Sequence, residues 1–224
     1  MTNRKNKKYR KSDEKPSRGK VTAKTKGQED FIDAIDSSEI VFCTGPAGTG
    51  KTTISAGTAC EYLLDPEINI SRILITRPIV ECGRKLGFLP GDEKQKIHPY
   101  LEPILEELGL YLTFNQLRDF QDRGIIKICP LETMRGRNYH NTFMILDEAQ
   151  NAEYGQIKNF LTRIGMNSVA VLSGDTTQVD LIKEDSGLEK AIGRINHVEG
   201  VSHVELTRED IVRSGIVGKI IDFL

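Results

Sequence analysis

Gly45-Pro46-Ala47-Gly48-Thr49-Gly50-Lys51-Thr52 fits the pattern G-x-x-x-x-G-K-[ST] at every fixed position, and both flanks suit it. Upstream, Ile40, Val41, Phe42 and Cys43 form a short apolar run expected to be a buried strand, while Thr52 to Leu64 reads as a helix. Glycines let the backbone fold tightly enough for successive N–H groups to face phosphate oxygens, and the positive end of the following helix favours the same anion. Gly45 to Thr52, with the adjacent Thr53, are therefore the expected nucleotide contacts. Lys51 is placed to reach the β- and γ-phosphates, and the Thr52 hydroxyl to ligate Mg²⁺. A glycine-rich turn without a ligand would not explain why strand, loop, Lys, Thr and helix fall in register.

A second signal fits the first. Phe143-Met144-Ile145-Leu146 is followed by Asp147-Glu148, four apolar residues leading to an acidic pair. A buried strand that ends in adjacent carboxylates is opposed by desolvation and by like-charge repulsion unless a cation is near. Asp147 is expected to hold Mg²⁺, through water, and Glu148 to orient and deprotonate an attacking water. Val169 to Leu172 reads as another buried strand, running into Ser173-Gly174-Asp175-Thr176-Thr177-Gln178. Gln178 could hydrogen-bond the γ-phosphate or the attacking water, with Asp180 in a similar polar role.

The remaining segments point to an α/β domain with a mainly parallel central sheet. Lys26 to Ile35 carries Phe31, Ile32 and Ile35 at helical spacing, with Gln28 ahead of the P-loop. Its amide could read an adenine edge, having a donor and an acceptor, or be a surface glutamine. A strand over Ser71 to Thr76 ends in Thr76-Arg77-Pro78, on the rim where ligands of open α/β sheets bind. Arg77 is thus a candidate for phosphate or nucleic-acid contact, or one member of a surface ion pair. Residues 80–124 read as a helical, turn-rich insertion, with Leu101, Ile104, Leu105 and Leu108 on one helix face and a second helix over Phe114 to Arg123. After a strand at Ile125 to Cys129, Arg135 and Arg137 flank Gly136, an arrangement suited to anions or to a solvated turn. Ile157, Phe160, Leu161 and Ile164 predict an amphipathic helix, and Val201 to Leu206 a last strand. Beyond it, Arg208 and Arg213 are candidate arginine fingers, and residues 216–224 predict a terminal amphipathic helix.

Composition narrows the class. The 224 residues, 38% hydrophobic, suffice for one globular domain, expected over 27–224. A net charge of −1 hides an asymmetry: residues 1–26 hold eleven basic and two acidic residues, +9, which leaves 20 basic and 30 acidic residues, −10, for the rest. That basic stretch is poor in apolar residues and is expected to be a disordered arm, able to hold phosphate backbones or an acidic protein face. Cys43, Cys60, Cys82 and Cys129 show no metal-ligand spacing, so reduced thiols are expected. No apolar run is long enough for a membrane span and no secretory leader is visible, which predicts a cytoplasmic protein.

Taken together, the chain resembles the PhoH family of P-loop ATPases, whose core is similar to the first RecA-like domain of superfamily 1 helicases. The likeness covers residues 26–224 and rests on the P-loop, ITRP at Ile75 to Pro78, GFLPGD at Gly87 to Asp92 and MRGR at Met134 to Arg137. It continues through LDEAQN at Leu146 to Asn151, FLTRIG at Phe160 to Gly165, GD-x-x-Q at Gly174 to Gln178 and DIVR at Asp210 to Arg213. The resemblance implies a RecA-like fold, ATP with Mg²⁺, Gln28 as adenine contact, Arg213 as the finger, a homo-oligomeric ring such as a hexamer, and a role on RNA in some members. One departure is that the usual DVVRH-P pattern here reads Asp210-Ile211-Val212-Arg213-Ser214-Gly215. The short length and basic arm look like a core-only member of the kind phages carry, which would work in the host cytoplasm.

Three activities fit these residues. An Mg²⁺-dependent ATPase, acting with RNA or single-stranded DNA, uses the Asp147-Glu148 pair and Gln178 together. Helicases of this type close the site with a second RecA-like domain, so a neighbouring subunit is expected to supply the arginine. A small-molecule kinase would share the P-loop but need a lid and an acceptor pocket. A nucleotide-gated binding module would need binding without turnover. No Trp and no grouping of the six Tyr and eight Phe suggests a stacking platform for bases.

Overall fold

The computed structural model describes residues 16, 18–78, 93–134, 136–176 and 186–212, with the backbone alone over 93–101. Arg135, Gln178, Asp180 and Arg213 lie outside the described residues, as do Cys82, the GFLPGD stretch and residues 216–224.

Six strands form one parallel sheet: β1 (Ile40–Thr44), β2 (Arg72–Arg77), β3 (Ile126–Pro130), β4 (Thr142–Leu146), β5 (Val169–Gly174) and β6 (Val201–Glu205). Their order is β3-β2-β4-β5-β1-β6. Helices α1 (Lys26–Ser37), α2 (Lys51–Leu64), α3 (Glu93–Tyr111), α4 (Phe114–Asp122), α5 (Tyr154–Leu161) and α6 (Leu188–Ile195) complete the described domain. Apolar layers cover both faces, which is why the central strands read as continuous hydrophobic runs without alternation. In β4, Phe143 and Ile145 point into the layer beneath α1, α2 and α3, while Met144 and Leu146 point into the layer beneath α5 and α6.

The strand register sets the site. Cys43 pairs with Ser173, Thr44 with Gly174, Leu146 with Leu172 and Thr76 with Leu146, so the carboxyl ends of β1, β5, β4 and β2 finish on one rim. Loops leaving a parallel sheet at that rim converge, and ligands bind there.

Two expectations about organisation change. Residues 80–124 read as an insertion, yet Ile104, Leu108, Tyr111 and Leu112 belong to the main core. Neighbouring parallel strands β2 and β3 need a crossover connection, and α3 and α4 lie within it. The basic arm is expected from sequence to extend to residue 26, but residues 18–25 lie on the domain as a strap. The Arg18 N–H donates to the Leu110 carbonyl at 2.8 Å, the Val21 N–H to the Glu61 carboxylate, and the Val21 side chain packs against the core. Val21 finds room because Gly57 of α2 has no side chain: a methyl there would run into Val21 and stand 2.5 Å from the Tyr111 ring.

Candidate active site

The loop between β1 and α2 is built by backbone geometry that only glycine adopts readily. Gly45, Gly48 and Gly50 have φ of 149°, 87° and 89°. Gly45 also lies against the Leu206 carbonyl where a Cβ would not fit. Within the loop, the Thr49 hydroxyl donates to the Pro46 carbonyl at 2.9 Å, and the Lys51 ammonium donates to the Gly45 and Pro46 carbonyls at 2.6 and 2.9 Å. Burial pulls the Lys51 ammonium below its usual pKa, opposed by acidic groups that include Asp175, Glu148 and Asp147.

Those carboxylates come from two other strands. Asp147, 6% exposed, sits just past β4, and its Oδ1 accepts from the Thr52 hydroxyl at 3.1 Å and the Ser173 hydroxyl at 3.0 Å. Burial raises the Asp147 pKa, the Glu148 charge adds to the rise, and Arg77 with the two hydroxyls opposes it. A buried carboxyl flanked by a P-loop hydroxyl is an oxygen-only donor set of the kind Mg²⁺ takes when it also uses phosphate and water. Among the described residues no group of three or more His, Cys, Asp or Glu is placed to hold a metal ion.

Glu148 adopts a left-handed backbone, φ 54° and ψ 39°. Its Oε1 accepts from Arg77 Nη2 at 2.9 Å and its Oε2 from Gln150 Nε2 at 2.6 Å. The Gln150 amide oxygen in turn accepts from the Asp175 N–H at 3.1 Å, which joins the end of β4 to the end of β5. Arg77, considered from sequence as a nucleic-acid contact, is thus engaged with the acidic pair.

Gln28 is buried and lines the same cleft, but both ends of its amide meet protein: Nε2 donates to the Thr49 carbonyl at 2.8 Å and Oε1 accepts from the Lys24 N–H at 2.8 Å. It ties the strap to the P-loop. A second tie comes from the turn after β6, where Asp210 accepts from the Thr25 hydroxyl at 2.5 Å and the Thr207 N–H at 2.8 Å. Two residues later the Val212 N–H donates to the Gly48 carbonyl at 3.1 Å. Arg208 and Arg137 are exposed, and neither lines the cleft.

The resulting cleft measures about 780 Å³ and runs from the P-loop and acidic pair to Lys20 and Val21 of the strap and Glu107 and Tyr111 of α3. That volume suits a nucleotide. Ser173, Gln150, Asp175 and Asp210 lay inside or beside motifs quoted from the sequence, so their neighbours marked them. Nothing local marked Lys20, Val21, Glu107 or Tyr111, which reach the cleft through tertiary packing. Cys43, Cys60 and Cys129 are free and buried, as expected, and burial raises the pKa of each thiol.

Comparison with known proteins agrees with this geometry. Solved structures with the same fold include the large terminase of a thermophilic bacteriophage, with a TM-score of 0.54 at 11% identity over 88% of this chain and 49% of that one. The UvsW helicase of bacteriophage T4 gives a TM-score of 0.50 at 13% identity over 84% of this chain and 64% of that one. The fold is thus that of RecA-like P-loop NTPases. In sequence, a PhoH-like protein of Synechocystis is 43% identical over 210 residues, 93% of this chain and 63% of its own length. A PhoH-like protein of Bacillus subtilis is 43% identical over 93% of this chain and 65% of its own length, and Protein PhoH of Escherichia coli 41% identical over 88% and 56%. The chain therefore spans less than two thirds of each of these relatives. Since the family model described as PhoH-like protein also matches residues 20–224, the chain belongs to the PhoH-like family of P-loop NTPases.

Proposed function

We propose that this chain hydrolyses ATP with Mg²⁺, and that hydrolysis is coupled to RNA or single-stranded DNA within a homo-oligomeric ring, a hexamer in the family-based reading. The observation that carries the first part is the meeting of the P-loop with two carboxylates in different roles. Asp147 is buried and shares a hydrogen bond with Thr52, whereas Glu148 is turned aside and held by Arg77 and Gln150. Neighbouring acids in such unlike settings suit cation binding and proton transfer respectively. Thr52 and Asp147 would hold Mg²⁺, which when bound neutralises charge on the β- and γ-phosphates.

In this reading the loop N–H groups and Lys51 hold the phosphates, and Glu148 accepts the proton of the attacking water at a carboxylate oxygen. Gln178, by its place after β5, helps to orient that water, and Arg213 or Arg208 from a neighbouring subunit meets the charge on the transferring phosphoryl group. Nucleic acid would contact Arg135, Arg137 and the basic N-terminal stretch, with Arg77 linking that contact to Glu148. No helix among the described residues is long and apolar enough to cross a membrane. The free buried thiols suit a reducing cytoplasm, that of the host for a phage protein. The test is ATP hydrolysis by size-fractionated protein, with and without RNA or single-stranded DNA. Turnover confined to an oligomeric fraction and raised by nucleic acid is expected. Full turnover by a monomer would remove the in-trans arginine, and an absence of turnover in every fraction would remove hydrolysis.

A further inference from the structure

The far end of the cleft contains a carboxylate that the phosphate chemistry does not use. Glu107 of α3 lines the cleft together with Gly50, Thr53 and Ile54 at the start of α2. Its Oε2 is shielded from solvent and has no hydrogen-bond partner among the described residues. A buried oxygen without a donor is costly, so it is either relieved by a ligand or retained for some other reason. One helical turn later Tyr111 packs at Gly57, six residues and about 9 Å along the helix axis from Lys51. Val21 of the strap meets the same glycine. This end of the cleft is therefore closed by the buried Tyr111 and by Val21, with Glu107 as its acceptor, just beyond the first turn of α2.

We infer that Glu107 holds the ribose 2′-hydroxyl of the bound nucleotide, so that the cleft selects ribonucleotides over 2′-deoxyribonucleotides. This rests on the reading of the cleft as a nucleoside-triphosphate site. The 2′-hydroxyl is an O–H donor that a 2′-deoxyribose lacks, and a carboxylate offers acceptors alone, so the two match. Adenine's donor is its 6-amino group, on the edge of the base remote from the sugar, and its ring nitrogens are acceptors, which a carboxylate repels. The Gln28 amide is already engaged with Thr49 and Lys24.

Equilibrium binding of ATP, dATP and GTP with Mg²⁺ to the full chain, and to its Glu107→Gln and Glu107→Ala variants, tests the inference. The unaltered chain is expected to bind ATP about tenfold or more tighter than dATP, the worth of a hydrogen bond to a charged group. Glu107→Ala should bring ATP down to the level of dATP while leaving dATP within about twofold, since dATP lacks the contact; the unchanged dATP affinity also reports an intact fold. The isosteric Glu107→Gln should fall between the two. Equal binding of ATP and dATP by the unaltered chain overturns the inference, as does a variant that weakens both alike. Preferential binding of GTP that Glu107→Ala abolishes would show that Glu107 reads the base, which overturns it too. If ATP binds well but Glu107 has no influence, only the inference falls. If no nucleotide binds at all, the reading beneath it falls as well.

Discussion

Exchanging Glu148 for Gln replaces one oxygen by an amino group and separates binding from chemistry. In the structure both carboxylate oxygens accept, Oε1 from Arg77 at 2.9 Å and Oε2 from Gln150 at 2.6 Å. An amide has one acceptor atom, so one of the two contacts becomes a donor facing a donor. The side chains of Arg77 and Glu148 are 25% and 37% exposed, and water screens the loss, which sets the stability cost at about 1 kcal/mol. For a chain of this size that is a fall of roughly 2–4 °C in melting temperature. Removal of a general base costs about 10²–10⁴ in rate, or roughly 3–5 kcal/mol in barrier height. The chemical effect thus exceeds the structural one severalfold. Phosphate release should fall at least a hundredfold, about the lower limit for a lost general base, while equilibrium ATP binding is unchanged. Retention of more than about a tenth of the turnover would refute Glu148 as the base. Loss of ATP binding in step with turnover would make the residue structural, and a chain whose unaltered form binds ATP without turnover would be a nucleotide-gated module.

Three further outcomes follow from other parts of the site. Asp147→Asn should reduce hydrolysis about a hundredfold or more, yet raise the melting temperature at pH 7 without divalent cation. Burial holds the folded-state pKa above the unfolded one, so the stabilising neutral form is lost as pH rises, and the advantage of Asn should vanish below about pH 4. Asp210→Asn should cost about 1–3 kcal/mol at pH 7 by urea unfolding, through weakened bonds to Thr25 and Thr207. Burial alone would raise the Asp210 pKa, but hydrogen bonds from Thr25, Thr207 and Gly27 outweigh it and lower the value. Its contribution is therefore present above the unfolded pKa, and the difference from Asn should shrink as pH falls below about 4. Gly57→Ala gains about 1 kcal/mol of helix propensity but drives a methyl into Val21 and Tyr111, and overpacking of about 1–3 kcal/mol should make it net destabilising in thermal melts.

How far the sequence carried depended on whether the relevant force was local. The P-loop was legible residue by residue, because left-handed glycines and a helix start are properties of a few consecutive positions. The acidic pair was legible too, since four apolar residues followed by two carboxylates make sense only at the end of a buried strand. Strand order was not. β5 lies between β1 and β4, and that placement brings Ser173 to Asp147. Helix α6 is a missed signal: Leu188, Ala191, Ile192 and Ile195 fall at i, i+3, i+4 and i+7, the kind of period that marks α5, and the first three are buried on one face. The strap reads as part of a charged arm, because Val21 is one apolar residue among basic ones and only the hollow at Gly57 gives it a function.

The two halves of the cleft are accordingly encoded in different ways. Its phosphate half is written in consecutive backbone conformations of the loop, with Asp147 and Glu148 brought in by neighbouring strands. Its outer half is assembled from a strap and a helix that meet only because Gly57 lets both approach α2. In the proposed function, substitutions at Lys51, Asp147 or Glu148 act on groups that face the reacting phosphates, and so bear on turnover. By the inference for Glu107, its substitution acts on the part of a nucleotide that does not react, and so bears on which nucleotide is held. Gln28 and Asp210 join the halves, one by bonding both Thr49 and Lys24, the other by bonding Thr25 two residues before Val212 meets Gly48. A ligand seated at the outer half therefore has a bonded route to the P-loop, through which its identity can influence the geometry of the phosphates.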